Sequence, residues 1–203
     1  AGGVIGNTDY VGKAGVFSLA DYPELLFCTP SACNKLVRRS LYSAHSVSFP
    51  GRVWYEDIRT MPKLYLWAKK CTEIKKPFYR YLLRQGSIMN SGNISRNTEI
   101  IDALDDLRSY YALHDTQSRY LKQLEYMAFY HQYICAVVRV CLADRKSPVA
   151  SVLRDDFISK HPNYRSNPYV LRAPAKYKLL DRLISRKMYS AVSFIMGLNS
   201  RIK

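Results

Sequence analysis

Nowhere does the sequence reach the roughly 20 consecutive apolar residues that a membrane-spanning helix needs. The best run, Tyr133 to Ala143, is cut by Arg139, and the run from Ser190 to Leu198 is too short. The chain is therefore expected to be soluble or peripheral to a membrane. Acidic residues are scarce as well: 16 Asp+Glu face 31 Lys+Arg, a formal net charge of +15. Such an excess favours acidic partners, whether nucleic acid, anionic lipid or acidic protein surfaces.

Cysteine is sparse and unpaired in pattern. Cys28, Cys33, Cys71, Cys135 and Cys141 are odd in number and irregularly spaced. Cys28 and Cys33 have no second pair or His cluster to complete a zinc site, and Cys135 and Cys141 fall in an apolar helical pattern. Reduced thiols without a disulfide framework are expected. The histidines His45, His114, His131 and His161 stand apart from any Cys or carboxylate at metal-ligand spacing. No Gly-rich phosphate cradle lies between a strand and a helix. Asp105 and Asp106 are adjacent, so on a helix they project in different directions and make a poor acid/base pair. No metal, no covalently bound cofactor and no catalytic residue is expected.

What is present is a chain of 203 residues, 48% of them apolar and 17 of them Tyr. That length and composition suit one folded domain, with or without extensions. Apolar residues recurring at threes and fours predict helices over 63–86, 98–114, 116–146 and 175–196. Pro62 is expected to open the first, Asn97 or Thr98 to cap the second, Asp115 to cap the third, and Gly197 to end the last. Shorter helical pieces are expected at 20–27, 31–44 and 149–158. No strand pair is expected. The fold class is all-α: a three- to four-helix bundle with a long irregular N-terminal arm and a C-terminal helical extension. Residues 1–60, with clustered glycines and scattered aromatics, read as an arm that takes its order from a neighbour. Residues 61–146 read as the bundle, and 147–203 as a connector and C-terminal helix. The chain starts at Ala1 rather than Met, as it would after removal of a targeting segment or an initiator.

Two short motifs stand out. Phe78-Tyr79-Arg80 is followed by Leu83-Arg84, and Leu107-Arg108-Ser109-Tyr110-Tyr111 lies on the next expected helix. Arg80 and Arg84 are four apart and would share a helix face beside an apolar stripe. This arrangement resembles the LYR-motif family of small mitochondrial three-helix proteins over residues 63–146. That family opens its first helix with Leu-Tyr-Arg and a Leu-Arg pair, and its second helix carries Ile-Arg-x-x-Phe-Arg-x-Asn. Here Phe78 replaces the leading Leu, Leu107, Arg108 and Tyr111 fit the second motif, and Ala112 and His114 depart from it.

The resemblance implies a non-catalytic partner of the mitochondrial acyl carrier protein. Arg80, Arg84 and Arg108 would face the carrier's acidic helix. Phe78, Leu82, Leu104, Tyr111, Leu121 and Leu124 would line a tunnel for its acyl-phosphopantetheine arm, the only cofactor implied. His161-Pro162 with Asn167-Pro168-Tyr169-Val170 is similar to the tail of a complex I member, although the glycines expected between Pro174 and Tyr177 are missing. An accessory subunit of respiratory complex I, on the matrix side of the mitochondrial inner membrane, is the implied role. The basic charge also suits a mitochondrial ribosomal or other RNA-bound protein, with phosphate contacts from Lys35–Arg39 and Arg182–Lys187. A lineage-specific ATP synthase subunit is a further alternative.

Overall fold

A computed structural model describes residues 11–76, 78–79 and 93–201. They form a mostly helical structure with a single two-stranded ribbon. The all-α class expected from the periodicity is what the chain adopts. In order, the elements are β1 (Val16–Phe17), α1 (Arg39–Ala44), α2 (Glu56–Trp67), β2 (Cys71–Thr72) and α3 (Glu99–His114). Then come α4 (Leu121–Ala128), a π-helical stretch (Phe129–Ala136), α5 (Val137–Ala143), α6 (Val149–Lys160), α7 (Pro168–Leu171), α8 (Ala175–Ser185) and α9 (Tyr189–Arg201).

The largest apolar cluster draws on elements from α2 to α9. Ile58 of α2, Ile100 and Leu104 of α3, Tyr133 of the π-helical stretch, Phe157 of α6 and Val192 of α9 all belong to it. Apolar contacts within this cluster cross both residue 60 and residue 146. The region expected to be an arm also joins the core: Phe17, Leu19, Leu25 and Leu26 are buried against Tyr65, Leu107, Tyr111, Tyr120 and Leu124. Those four side chains find their apolar partners within this chain.

Several element boundaries differ from the periodic reading. The first expected helix, 63–86, falls in part on residues outside those described; its described start belongs to α2 over Glu56–Trp67, with Pro62 inside the helix rather than at its start. After Trp67 the described chain leaves the helix, and Cys71–Thr72 pairs antiparallel with Val16–Phe17. Strands of two residues are too short to show alternation, which is why the pair is not legible in the sequence. Neither Asn97 nor Thr98 caps α3 with its side chain; a 3-10 turn over Ile94–Thr98 leads straight into it. Asp115 closes α3 rather than opening the next helix, and its carboxylate takes Arg119 Nε at 3.0 Å. The expected single helix over 175–196 breaks into α8 and α9 around Lys187, whose φ is 57°. Gly197 lies inside α9 and is not its cap. The expected helix at 149–158 is present as α6.

The entry to α2 is strained. Ser46, Arg52 and Tyr55 all have left-handed φ, at 50°, 60° and 62°. Non-glycine residues hold that conformation only when their surroundings over-determine it. Here the Trp54 amide donates to Glu99 Oε2 at 2.6 Å, and Arg96 donates to the Arg52 carbonyl at 3.0 Å. Tyr55 donates its hydroxyl proton to Asn97 Oδ1 at 3.1 Å and accepts from Arg139 at 3.0 Å. Arg139, which interrupts the longest apolar run, thereby anchors the start of a helix far away in sequence.

Candidate binding groove

Residues of α3 and α4 line a groove of about 290 Å³, joined by Lys160 at the end of α6 and by His161 just beyond it. On α4, Leu121, Leu124, Glu125 and Ala128 are spaced at i, i+3, i+4 and i+7, so one helix face lines the groove. On α3, Leu104 and Arg108 are four apart and also face it, with Leu107 between them. Leu104, Leu107, Leu124 and Ala128 make a buried apolar floor, while Leu121 is 56% exposed at the mouth. Gln132, from the π-helical stretch, adds a polar group to the floor. Its amide is held by the Leu153 carbonyl at 3.0 Å and Asp156 Oδ2 at 2.8 Å. Short π-helical departures recur where a helix is shaped for a function.

Most charges on the rim neutralise one another. Lys160 Nζ reaches Asp105 at 2.6 Å and Asp156 at 2.8 Å. Burial works against the charged ammonium, but these two carboxylates outweigh it and hold the Lys160 pKa above its ordinary value. Glu125 takes Asn167 Nδ2 at 2.7 Å, Lys122 at 3.5 Å and His161 Nδ1 at 3.7 Å. Burial pushes the His161 pKa below its ordinary value, with Glu125 opposing and Arg108 and Lys160 assisting, so the ring is mainly neutral at pH 7. Arg108 is different. It is exposed, lines the groove, and has no ion pair or hydrogen bond among the described residues. An uncompensated guanidinium beside an apolar floor suits an anionic group joined to an apolar one.

Of the residues singled out from the sequence, Arg108, Leu104, Leu121 and Leu124 come together in this groove. Tyr111 does not line it. One turn beyond Leu107, its ring packs edge-on to Tyr120 and its hydroxyl donates to the Pro62 carbonyl, so it belongs to the α2–α3 contact. Phe78 is not a lining residue either: it is 74% exposed in a segment without regular structure. Arg80, Leu82 and Arg84 lie outside the described residues. Gln132 and Lys160 were not anticipated as groove residues, and His161 stood out only through His161-Pro162. A glutamine within the apolar run from Phe129 to Val138 was the one local signal for Gln132.

Among the described residues, no three His, Cys, Asp or Glu side chains converge as a metal ion would require. No helix among them is long and apolar enough to cross a membrane. No protein-family model matches the chain, and no curated protein or solved structure shows significant similarity to it.

Proposed function

We propose that the groove beside Arg108 is a binding site for an anionic ligand that carries an apolar extension. The observation that carries this reading is the pairing of an uncompensated Arg108 with a buried floor of Leu104, Leu107 and Leu124. The anion meets the guanidinium at the rim, and the apolar portion displaces water from the leucines.

The resemblance to LYR-motif proteins gives that ligand its most specific form. It is the acyl-phosphopantetheine of a mitochondrial acyl carrier protein, and the chain is then a non-catalytic accessory subunit of a respiratory assembly of the complex I type. Arg108, Leu104, Leu121 and Leu124 support this form. The first motif lends less, because Phe78 and Tyr79 are exposed and outside any helix. The two levels separate in one binding experiment with acylated carrier protein, unacylated carrier protein and free acyl-phosphopantetheine. The specific form requires the acylated carrier to bind more tightly than either of the others. Equal binding of the free arm supports the groove without the carrier, and no binding of any of the three defeats both.

A further inference from the structure

The C-terminal pair α8–α9 presents a second surface of different character, and nothing in its case depends on the groove. α9 packs one side on the core, where Val192 is the one fully buried side chain among residues 189–198, with Tyr189 and Met196 partly covered. Phe194 and Leu198, four residues apart, share a helix face and are 68% and 47% exposed. Met188 at the preceding turn and Leu179 on α8 are exposed as well. Four large apolar side chains left in water within twenty residues exceed the scattered exposure a folded surface normally shows.

The charge around them has one sign. Between Pro174 and Leu198 the only acidic residue is Asp181, which is buried and bound to Arg165. Lys176, Lys178, Arg182 and Arg186 are exposed, and their side-chain cations make no ion pair or hydrogen bond among the described residues. Lys187 is the exception, paired with Asp155 of α6 at 3.5 Å. Arg182 lies three residues beyond Leu179 and shares its side of α8, and Arg186 follows just past the end of that helix.

We infer that α8–α9 docks on the surface of an anionic lipid bilayer, Phe194, Leu198 and Met188 entering the acyl boundary and Arg182 and Arg186 meeting the headgroups. Exposed cations beside exposed aliphatic side chains fit an interface whose chemistry changes from anionic to hydrocarbon over a few ångströms. A nucleic acid would use the same cations but has no place for Met188 and Leu198, which can neither stack on bases nor donate to phosphate.

Co-sedimentation of the whole chain with vesicles tests this. Vesicles containing phosphatidylglycerol should bind it, vesicles of phosphatidylcholine alone should not, and added salt should weaken binding. Phe194→Ser with Leu198→Ser should reduce binding about tenfold or more. Arg182→Glu with Arg186→Glu should reduce it by more than the roughly fivefold expected for each lost cation near an anionic surface. All four side chains are exposed, and an unchanged helical spectrum checks each variant's fold. Failure to bind anionic vesicles would overturn the inference. So would binding that survives the Phe194/Leu198 change, or a single-stranded RNA oligomer that binds more tightly and is insensitive to it.

Discussion

The hydroxyl of Tyr111 on α3 donates a 2.7 Å hydrogen bond to the carbonyl of Pro62, inside α2 and 49 residues earlier. Both residues are buried, and the phenol's pKa is raised well above its ordinary value, first by burial and then by nearby Tyr120 and Tyr65. The bond fixes the α2–α3 contact on which the groove's α3 wall rests. Tyr111→Phe is therefore expected to cost about 1 kcal/mol, a buried neutral hydrogen bond without a cavity. Urea denaturation of the variant beside the parent chain checks it.

A larger loss is expected at Asp181. Its carboxylate accepts from Tyr133 at 3.0 Å, from Tyr164, and from Arg165 at 3.0 and 3.1 Å, beneath α8. Burial raises the pKa of both tyrosines, and the hydrogen bond to Asp181 adds to it at Tyr164, whose pKa rises to about 12. Asp181→Ala takes the carboxylate acceptor from Tyr164 and from the half-exposed Arg165, while Tyr133 keeps the backbone carbonyl of residue 181 at 3.3 Å, and should cost about 2 kcal/mol. Asp181→Asn, which keeps an acceptor oxygen, should cost less. Equal losses in thermal or urea unfolding would show that charge, not hydrogen bonding, dominates.

At the strained entry to α2, Arg52→Gly should stabilise rather than destabilise. Arg52 is exposed and left-handed, and the contact it makes to Arg96 uses its backbone carbonyl, which glycine retains. Relief of the left-handed penalty, offset by glycine's greater unfolded freedom, predicts a gain of about 0.5–1 kcal/mol. The denaturation midpoint should rise.

The pH dependence has a definite sign. Burial, assisted by Arg139, lowers the His131 pKa from 6.5 to about 4. Below pH 6.5 the unfolded chain takes up a proton that the folded ring refuses, so stability is full above that pH. It falls as the pH drops toward 4. The ceiling from this one group is about 3 kcal/mol, less in so far as the ring keeps a partly exposed edge. His131→Gln should flatten that part of the curve when unfolding is measured at pH 7 and again near pH 4.5.

The sequence made the long apolar-periodic elements legible and the joints illegible. α3 and α6 fall close to their expected bounds because their buried positions follow the helical repeat without interruption. The start of α2 was missed because it is set by the strained Tyr55 and its partners Asn97 and Arg139, contacts that no local pattern carries. The α8–α9 break was missed because Lys187, and not a glycine or proline, takes the left-handed turn. Asp105 and Asp106 were expected to project in different directions, and their partners could not be read from the sequence. In the structure Asp105 pairs with Lys160 on α6 and Asp106 with Lys63 on α2 at 2.6 Å, so adjacent residues tie α3 to two different helices. Arg108 and three leucines of the groove, Leu104, Leu121 and Leu124, were singled out through the family resemblance. Gln132 and Lys160 were not, since the π-helical stretch and the end of α6 reach the groove only through the tertiary fold.

The groove is tested most directly by titrating the chain with monomeric dodecyl phosphate, an anion on an apolar tail, while recording backbone amide correlation spectra. The proposed site predicts saturable shifts at Leu104, Arg108, Leu121, Leu124 and Gln132, weakened in Arg108→Glu. Shifts that never saturate, or that gather at Met188, Phe194 and Leu198 and leave α3 and α4 unmoved, would contradict it.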